Sequence, residues 1–191
     1  MQQQHYTYAR FWKCALQVNP HGYSASYRGQ GHGLSADAYA KGLRDICLDE
    51  DIYVVGLADH GSVEESAAVR EVLADSGIVV FPGFEVATTE KVHWVCLFPE
   101  HKGEQELERY LGKMHKTAPQ EGVRPSDLGG QQLLATVEEL GGFCFAAHAT
   151  SNHGLLKGKF NHIWTDARLR AAQIPGTIDD LPLEYRHIAR N

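Results

Sequence analysis

Three short apolar runs in this sequence each end at a residue that can ionise or bind a metal. The runs cover residues 54–58, which stop at Asp59 and His60, residues 78–84, which lead into Glu85, and residues 143–147, which stop at His148. Continuous apolar runs are typical of buried strands in a parallel sheet, and residues just past the carboxyl ends of such strands line the active site in α/β proteins. Because an unpaired ionisable group is costly to bury, these strand ends predict one shared pocket.

Strand-like and helix-like segments alternate along the rest of the chain. The predicted strands cover residues 11–18, a segment ending at 58, 78–85, 92–98, 143–147 and 171–174. The predicted helices cover residues 36–50, 62–75, 105–115, 133–140 and 165–170. Ser35 is the expected N-cap of the first helix, and a Ser62 to Glu65 capping box is expected to begin the second. Residues 22–35 and 150–161 are predicted loops. This order predicts an α/β fold with a largely parallel sheet, either open or closed into a barrel.

Length and composition predict one domain. The 191 residues are 43% hydrophobic, which can fill a single core, so residues 1–191 are expected to form one unit. The stretch 116–132 is rich in Pro, Gly and charge and is expected to be a loop or insertion. No run approaches the roughly 18 apolar residues of a membrane span, and the first residues lack the features of a secretory signal. The expectation is a cytoplasmic protein with no membrane partner.

Net charge and residue usage narrow the range of possible functions. The formal charge of -6 argues against a strong sequence-independent grip on nucleic acid by this domain alone, although bound cations would change that locally. The four cysteines show no CxxC spacing, so they predict neither a zinc ribbon nor a redox pair. Eleven histidines point towards metal or proton chemistry.

The candidate site gathers one or two residues from each strand end. Its members are Asp59, His60, Glu85, His93 and His148. Imidazole together with carboxylate suits zinc, manganese or iron, and so many groups would suit more than one metal. Two close metals clamp the attacking and leaving oxygens of a phosphoryl displacement, so phosphoester hydrolysis is the expected reaction class.

Each candidate also has a purely structural interpretation. Asp59 and His60 can be turn residues before a helix, and Glu85 can be a solvated strand end. His93 shares a face with Val95 and Leu97 and, taken alone, reads as a core histidine. His148 ends an apolar strand and is the hardest to explain without a function. Lys157 and Lys159 can hold a substrate phosphate or can simply belong to a basic surface loop.

Four segments in order resemble successive motifs of the polymerase and histidinol phosphatase (PHP) superfamily of phosphoesterases. They are residues 56–61 (GLADHG), residues 82–86 (PGFEV), the strand that carries His93, and residues 146–149 (AAHA). The resemblance extends over about residues 11–175. It implies a distorted seven-stranded (β/α) barrel, similar to a TIM barrel, with up to three Zn, Mn or Fe ions at the carboxyl ends of its strands. It is strongest to the amino-terminal PHP domains of large SMC-like or AAA-like ATPases, which implies a role in nucleic-acid processing or defence.

The resemblance makes His60, Glu85, His93 and His148 metal ligands, with His60 and His148 also catalytic. It places Asp59 beside them as a ligand-orienting or catalytic acid.

Two family motifs are altered. The first strand of the family usually ends in Asp-Leu-His-x-His, but this chain has Gln17 and Asn19 at the two histidine positions. Their amide oxygens are expected to be weaker metal ligands, and His21 is a substitute only if the loop is shifted. The closing Asp-x-His pair is not matched by Asp179-Asp180. Two alternatives follow: the chain ends before that motif, which would leave the barrel incomplete at its carboxyl-terminal end, or the motif has been lost. Fewer metals than the family maximum are therefore expected, with one the favoured count.

Three functions stay open at this stage. The first is a metal-dependent phosphodiesterase or nuclease module of a larger ATPase-linked protein, acting on nucleic acid or another phosphorylated substrate. The second is a degenerate PHP domain that serves as a binding or regulatory platform without chemistry. The third is a phosphomonoesterase that acts on a small metabolite. An ATPase region in the same protein or as a partner is expected, and an open barrel edge would favour a homo-oligomer or an intramolecular partner.

Overall fold

The computed structural model describes residues 11–26, 32–60, 62–63, 66–114, 124–174, 176–177, 179, 181 and 183–186. The strands are β1 (Lys13–Val18), β2 (Ile52–His60), β3 (Val79–Ala87), β4 (His93–Leu97), β5 (Arg124–Pro125) and β6 (Phe143–Ala146). The helices are α1 (His21–Ser26), α2 (Ala36–Asp49), α3 (Ser66–Ala74), α4 (Glu104–Met114), α5 (Gly130–Glu139), α6 (Asn161–Trp164) and α7 (Leu183–Arg186). Helices and strands alternate over most of this length, so the fold is mixed α/β.

The strands form one curled sheet in the order β1-β2-β3-β4-β6, with the short β5 paired to the end of β3. Strands β1, β2 and β3 run parallel, whereas β4 runs antiparallel to both β3 and β6. The prediction of a largely parallel sheet is therefore wrong at β4. Only residues 88–92 connect β3 to β4, and a parallel crossover needs about a dozen residues or more. The short connection forces a hairpin.

The reversal of β4 decides where its residues lie. In a parallel strand His93, the first residue of β4, would sit at the edge opposite the carboxyl ends of β2 and β3. In the hairpin, His93 pairs with Ala87 at the carboxyl end of β3. The amino end of β4 therefore meets the carboxyl ends of β2, β3 and β6 at one edge of the sheet.

The curled sheet has a helix-covered outer face and a concave inner face. Outer-face residues of β2 and β3, such as Val55, Leu57 and Val80, pack in a buried cluster with side chains of α2 and α3. A second outer cluster joins β3, β4 and β6 to α4, α5 and α6 and includes Trp94. The inner face has its own small apolar cluster, made by Leu16, Ala58, Phe81, Val95, Leu97, Phe145 and Ala147. Because strand residues alternate between faces, Glu85 and His93 lie on the inner face beyond this cluster.

Several local predictions are confirmed. Helix α2 begins after Ser35, whose Oγ accepts a hydrogen bond from the Ala38 amide at 3.2 Å. Gly77, which follows α3, has a φ of 77°, a conformation that glycine adopts without strain. Strands β1, β2, β3, β4 and β6 and helices α2, α4 and α5 all fall within a few residues of their predicted bounds.

One loop prediction and one helix prediction are wrong. Helix α1 occupies part of the predicted loop 22–35, directly after Pro20, a residue common at helix starts. No helix forms over 165–170, because the Asp166 carboxylate accepts hydrogen bonds from the backbone and guanidinium of Arg168 and so competes with helical pairing. The predicted strand 171–174 is reduced to a single bridge between Ala172 and Ala146.

Helix α3 is described from Ser66 onwards, and Glu104 Oε1 accepts hydrogen bonds from Ser66 Oγ and from the Ala67 amide. Glu65, the second member of the predicted box, lies outside the described residues, as do residues 116–123 of the predicted insertion. Among the described helices, none is long and apolar enough to cross a membrane.

Candidate metal centre

Glu85 is the buried centre of the candidate site. Its side chain projects from β3 and is completely inaccessible to solvent. The register of the sheet pairs Glu85 with His60 on β2 and with Val95 on β4, two residues beyond His93. Three strands therefore bring an acidic group and two imidazoles to one point on the inner face.

Two imidazoles face one oxygen of this carboxylate. Glu85 Oε1 lies 3.1 Å from His93 Nδ1 and 4.0 Å from His148 Nε2, and these two nitrogens are 3.2 Å apart. Ligand atoms of the three residues all fall within 4.8 Å of one another. Within the described part of the chain, Oε1 accepts no hydrogen bond of good geometry. A buried oxygen in this state, facing two imidazole nitrogens, suits a cation ligand.

Neutral groups surround the other oxygen. Gln17 Nε2 donates a hydrogen bond to Glu85 Oε2 at 2.5 Å, and His60 Nε2 lies 3.6 Å from the same oxygen. The ring of Tyr23 stacks on His60 with centroids 4.2 Å apart and an angle of 4° between the planes. The two oxygens of Glu85 therefore differ. Oε2 accepts a hydrogen bond from the Gln17 amide, whereas Oε1 accepts none of good geometry from the described residues and is the oxygen called open below.

The surroundings of Glu85 favour its ionised form. Burial acts to raise the pKa of this carboxyl, but the close contact with His93, the charges of His60 and His93 and the hydrogen bond from Gln17 hold the pKa below its ordinary value. An ionised carboxylate in a closed site needs compensating positive charge, and the imidazoles supply it only when they are protonated.

The neighbouring histidines favour the neutral form. Burial lowers the pKa of His60, and nearby His93 and His148 add to this effect against the opposing charge of Glu85. Burial and then the charge of His93 lower the pKa of His148. Because His60 and His148 resist protonation, they supply little counter-charge to the buried carboxylate, and neutral imidazole is the form that binds metal. The donor set therefore fits a divalent cation.

Local contacts fix His148 in an unusual conformation. Its φ of 30° lies in the left-handed region, which is unfavourable for a residue with a side chain. The His148 amide donates to Gln173 Oε1 at 2.8 Å, and His148 Nδ1 lies 2.7 Å from Ser151 Oγ. When Nδ1 carries the proton and donates to Ser151, Nε2 keeps its lone pair towards Glu85.

The other predicted site residues lie further from this cluster or serve different contacts. Asp59 Oδ1 accepts the His60 amide at 2.6 Å, which fixes the end of β2. Asn19 has a buried Oδ1 with no hydrogen-bond partner among the described residues. His21 Nε2 donates a hydrogen bond to the Leu34 carbonyl oxygen at 2.8 Å, and the ring packs against His32 and Tyr39. Lys157 and Lys159 are exposed on the turns after His148.

The sequence did not single out several residues that contact the cluster. Tyr23, Ser151, His153 and Gln173 touch His60, His93 or His148, but each lies in a segment without a periodic pattern. A polar residue in a loop gives no signal of its direction. The Ser151 spacing of three residues after His148 is the one local hint, because side chains and backbone at that spacing meet in a turn.

Comparison with known proteins gives structural but not sequence matches. No protein-family model matches the chain, and no curated protein does. Three similar solved structures are the lesion-specific endonuclease PfuEndoQ from Pyrococcus furiosus, an Endonuclease Q complex with a 27-mer duplex that has an abasic lesion at the active site, and a protein from Bifidobacterium adolescentis that is provisionally described as a metal-dependent phosphoesterase.

The two endonuclease structures align over 90% of this chain with TM-scores of 0.58 and identities of 14% and 15%. This chain spans 45% of the length of either endonuclease chain. The B. adolescentis protein aligns over 94% of this chain and 82% of its own, with a TM-score of 0.51 and 14% identity. At these identities the similarity concerns the fold. That fold is consistent with the PHP-like architecture that the sequence motifs imply.

Proposed function

We propose that this chain is a metal-dependent phosphoesterase of PHP type, acting on phosphodiesters as a nuclease module. The observation that carries the proposal is the buried carboxylate of Glu85, whose open Oε1 faces His93 Nδ1 and His148 Nε2. In this proposal the curled sheet is part of the distorted (β/α)7 barrel of that family. The fold shared with an endonuclease and with a described phosphoesterase supports the choice of reaction.

In this proposal some residues bind the metal ion and others act on the substrate. Glu85, His93 and His148 would hold the divalent ion. Such an ion polarises a phosphoryl oxygen and makes water a stronger nucleophile. His60, held neutral at the edge of the site, would accept or deliver a proton at Nε2, and Asp59 would keep the end of β2 in place through the His60 amide.

A nucleic-acid substrate is the more specific part of this proposal. One of the similar structures is an endonuclease in complex with duplex DNA, and the exposed Lys157 and Lys159 follow His148 on the same connection. Two exposed cations on this connection would attract a phosphate backbone in a chain of net charge -6. The link to an ATPase, in the same protein or as a partner, rests on the motif resemblance alone and stays a prediction.

The test combines metal content with hydrolysis. Purified protein is loaded with Mn, Zn or Fe, and turnover of a diester probe and a monoester probe is compared with that of His148→Ala. We expect metal-dependent hydrolysis of the diester in the wild type and its loss in the variant. His101→Ala, at an exposed histidine after the opposite end of β4, is the matched control. Unchanged diester turnover in His148→Ala would overturn the assignment, and faster monoester turnover would favour the metabolite-directed alternative.

A second candidate is a PHP domain that binds without catalysis. The contact that favours it is the Gln17 amide on Glu85, since Gln17 donates a hydrogen there and so is not a ligand through that atom. In this case the protein would bind metal or partner through the same residues but would be inert towards both probes with every divalent ion tried. Metal content with no turnover separates this candidate from the enzyme.

A further inference from the structure

His153 lies beside the candidate metal centre without belonging to its ligand set. Its ring stacks on that of His93 with centroids 5.1 Å apart and an angle of 14° between the planes. The ring of His93 also contacts the ring of His148, edge to face, with centroids 4.9 Å apart. The three rings therefore form a continuous group in which only His93 and His148 face Glu85.

The backbone of His153 also holds His93. The His93 amide donates to the carbonyl of His153 at 3.2 Å, while the His93 carbonyl accepts the Ala147 amide at 3.0 Å. The first residue of β4 is thus hydrogen-bonded to both ends of the 147–153 turn. The ring stack and the backbone hydrogen bond act together to fix the orientation of the His93 imidazole.

The turn that presents His153 is tightly packed. A Cβ on Gly154 would lie 2.3 Å from the Ala149 carbonyl oxygen and 2.6 Å from that of His148, so the chain passes where only glycine fits. Leu155 and Leu156 are buried directly after it and anchor the turn in the core. The position of His153 is therefore built into the fold.

The ring of His153 is otherwise open. The residue is exposed, and its ring nitrogens make no hydrogen bond within the described part of the chain. Lys157 and Lys159 are also exposed and follow later on the same connection. An exposed imidazole N–H beside the candidate ligand His93 can donate a hydrogen bond to an anionic oxygen.

We propose that His153 has two roles in this site. Its ring face and carbonyl position His93 for metal binding, and its ring N–H binds a phosphoryl oxygen of the substrate. The proposal rests on the proposed phosphoesterase function and adds a residue that contacts the substrate without being a metal ligand.

Two substitutions separate the roles. His153→Phe keeps an aromatic ring that can stack on His93 but removes the N–H, whereas His153→Ala removes both. The first readout is Mn²⁺ affinity, measured by competition with a chelator. The second is the affinity of the metal-loaded protein for inorganic phosphate, measured by calorimetry.

We expect His153→Ala to weaken Mn²⁺ binding about tenfold or more, the loss typical of residues that orient a ligand, and His153→Phe to retain most of it. Both variants should weaken phosphate binding about tenfold, the effect of losing a hydrogen bond to a charged group. His101→Ala and His101→Phe control for loss of an exposed histidine elsewhere and should change neither affinity.

The outcomes distinguish this inference from the function on which it rests. If the wild type binds Mn²⁺ and phosphate but both His153 variants match it, the inference is overturned and the metal centre stands. If His153→Phe weakens Mn²⁺ binding as much as His153→Ala does, stacking is not the positioning contact. If the wild type itself binds no divalent ion while His93→Ala is indistinguishable from it, the metal centre and this inference fail together.

Discussion

Glu85 and His93 are a diagonal pair across the β3–β4 hairpin. Glu85 is opposite Val95 and His93 is opposite Ala87, so the two side chains project from the same face with Oε1 and Nδ1 only 3.1 Å apart. Diagonal neighbours in an antiparallel pair are within reach of long side chains. The central contact of the site therefore exists because one strand of the sheet is reversed.

Replacement of Glu85 by glutamine should remove most of the metal affinity. Glu85→Gln keeps the shape of the side chain but removes the charge that the open Oε1 offers to a cation. We expect Mn²⁺ to bind more than about a hundredfold more weakly, a larger loss than is typical of residues that only orient a metal ligand. Metal content per chain and chelator competition measure the effect. Glu71→Gln, at an exposed position on α3, should behave as the wild type, and equal metal loss in both variants would contradict the assignment.

Gln17 should stabilise the metal-free protein through its hydrogen bond to Glu85. Gln17→Leu leaves Oε2 of a buried carboxylate without that donor, and we expect the free energy of unfolding to fall by about 1–3 kcal/mol. Urea denaturation without metal measures it. Gln105→Leu, at an exposed position of α4, is the control. A loss no greater than that of the control would show that the contact contributes nothing.

A second carboxylate at position 17 should make the protein dependent on metal. Gln17→Glu brings like charges together around Oε2, so the metal-free variant should be less stable than Gln17→Leu. Divalent ions would relieve this repulsion. We expect Mn²⁺ to raise the melting temperature of Gln17→Glu by more than it raises that of the wild type. Equal shifts in scanning calorimetry would contradict this prediction.

Gly83 should be essential for the pairing of β3 with β4. A Cβ there would lie 1.9 Å from the carbonyl oxygen of Cys96, a contact with rigid backbone on the facing strand. We expect Gly83→Ala to lower the free energy of unfolding by more than about 3 kcal/mol and to weaken metal binding, since Glu85 and His93 face each other across this hairpin. Gly103→Ala, where the added Cβ meets nothing within 4 Å, is the matched control. A stable Gly83→Ala protein would mean that the strands are not paired as described.

As the pH falls, the metal-free protein should begin to lose stability at pH values well above those at which carboxylates usually titrate. Burial first, and then neighbouring histidines, hold the pKa of His60 and His148 below the ordinary value of 6.5. Below about pH 6.5 the unfolded chain therefore binds more protons than the folded one, and stability falls as the pH falls towards the folded-state values. The lowered pKa of Glu85 adds a loss of the same sign below its ordinary value of 4.5.

This pH dependence can be measured as the urea midpoint between about pH 7.5 and pH 5. We expect the midpoint to fall over this range in the wild type and to fall less in His60→Asn combined with His148→Asn. A midpoint that stays constant in the wild type would show that these two histidines are not held neutral by the fold.

The sequence selects candidate site residues more readily than it predicts their arrangement. His60, Glu85 and His148 are selected because each ends an apolar strand, a pattern that local sequence carries, and their roles in the site stay a prediction. His93 was selected with them, but its position at the shared edge depends on the reversal of β4. Gln17 was considered a weak ligand through its amide oxygen, whereas the structure has its nitrogen donating to Glu85.

Contacts between distant segments account for the remaining differences. Ser66 in α3 donates a hydrogen bond to Glu104, which lies 38 residues later, a contact that no local sequence pattern predicts. Helix α1 brings Tyr23 onto His60, 37 residues along the chain. His153 meets His93 because the turn after β6 folds back over the first residue of β4.

The amino-acid sequence by itself determined the strands, most helices and the ionisable residues at the strand ends, because burial periodicity and helix capping act over a few neighbouring residues. The tertiary structure decided which strand is reversed, which oxygen of Glu85 is open and which loop residues meet the histidines. These features depend on the free energy of packing whole elements together, and a side chain acquires its partner only when that packing fixes the path of the chain.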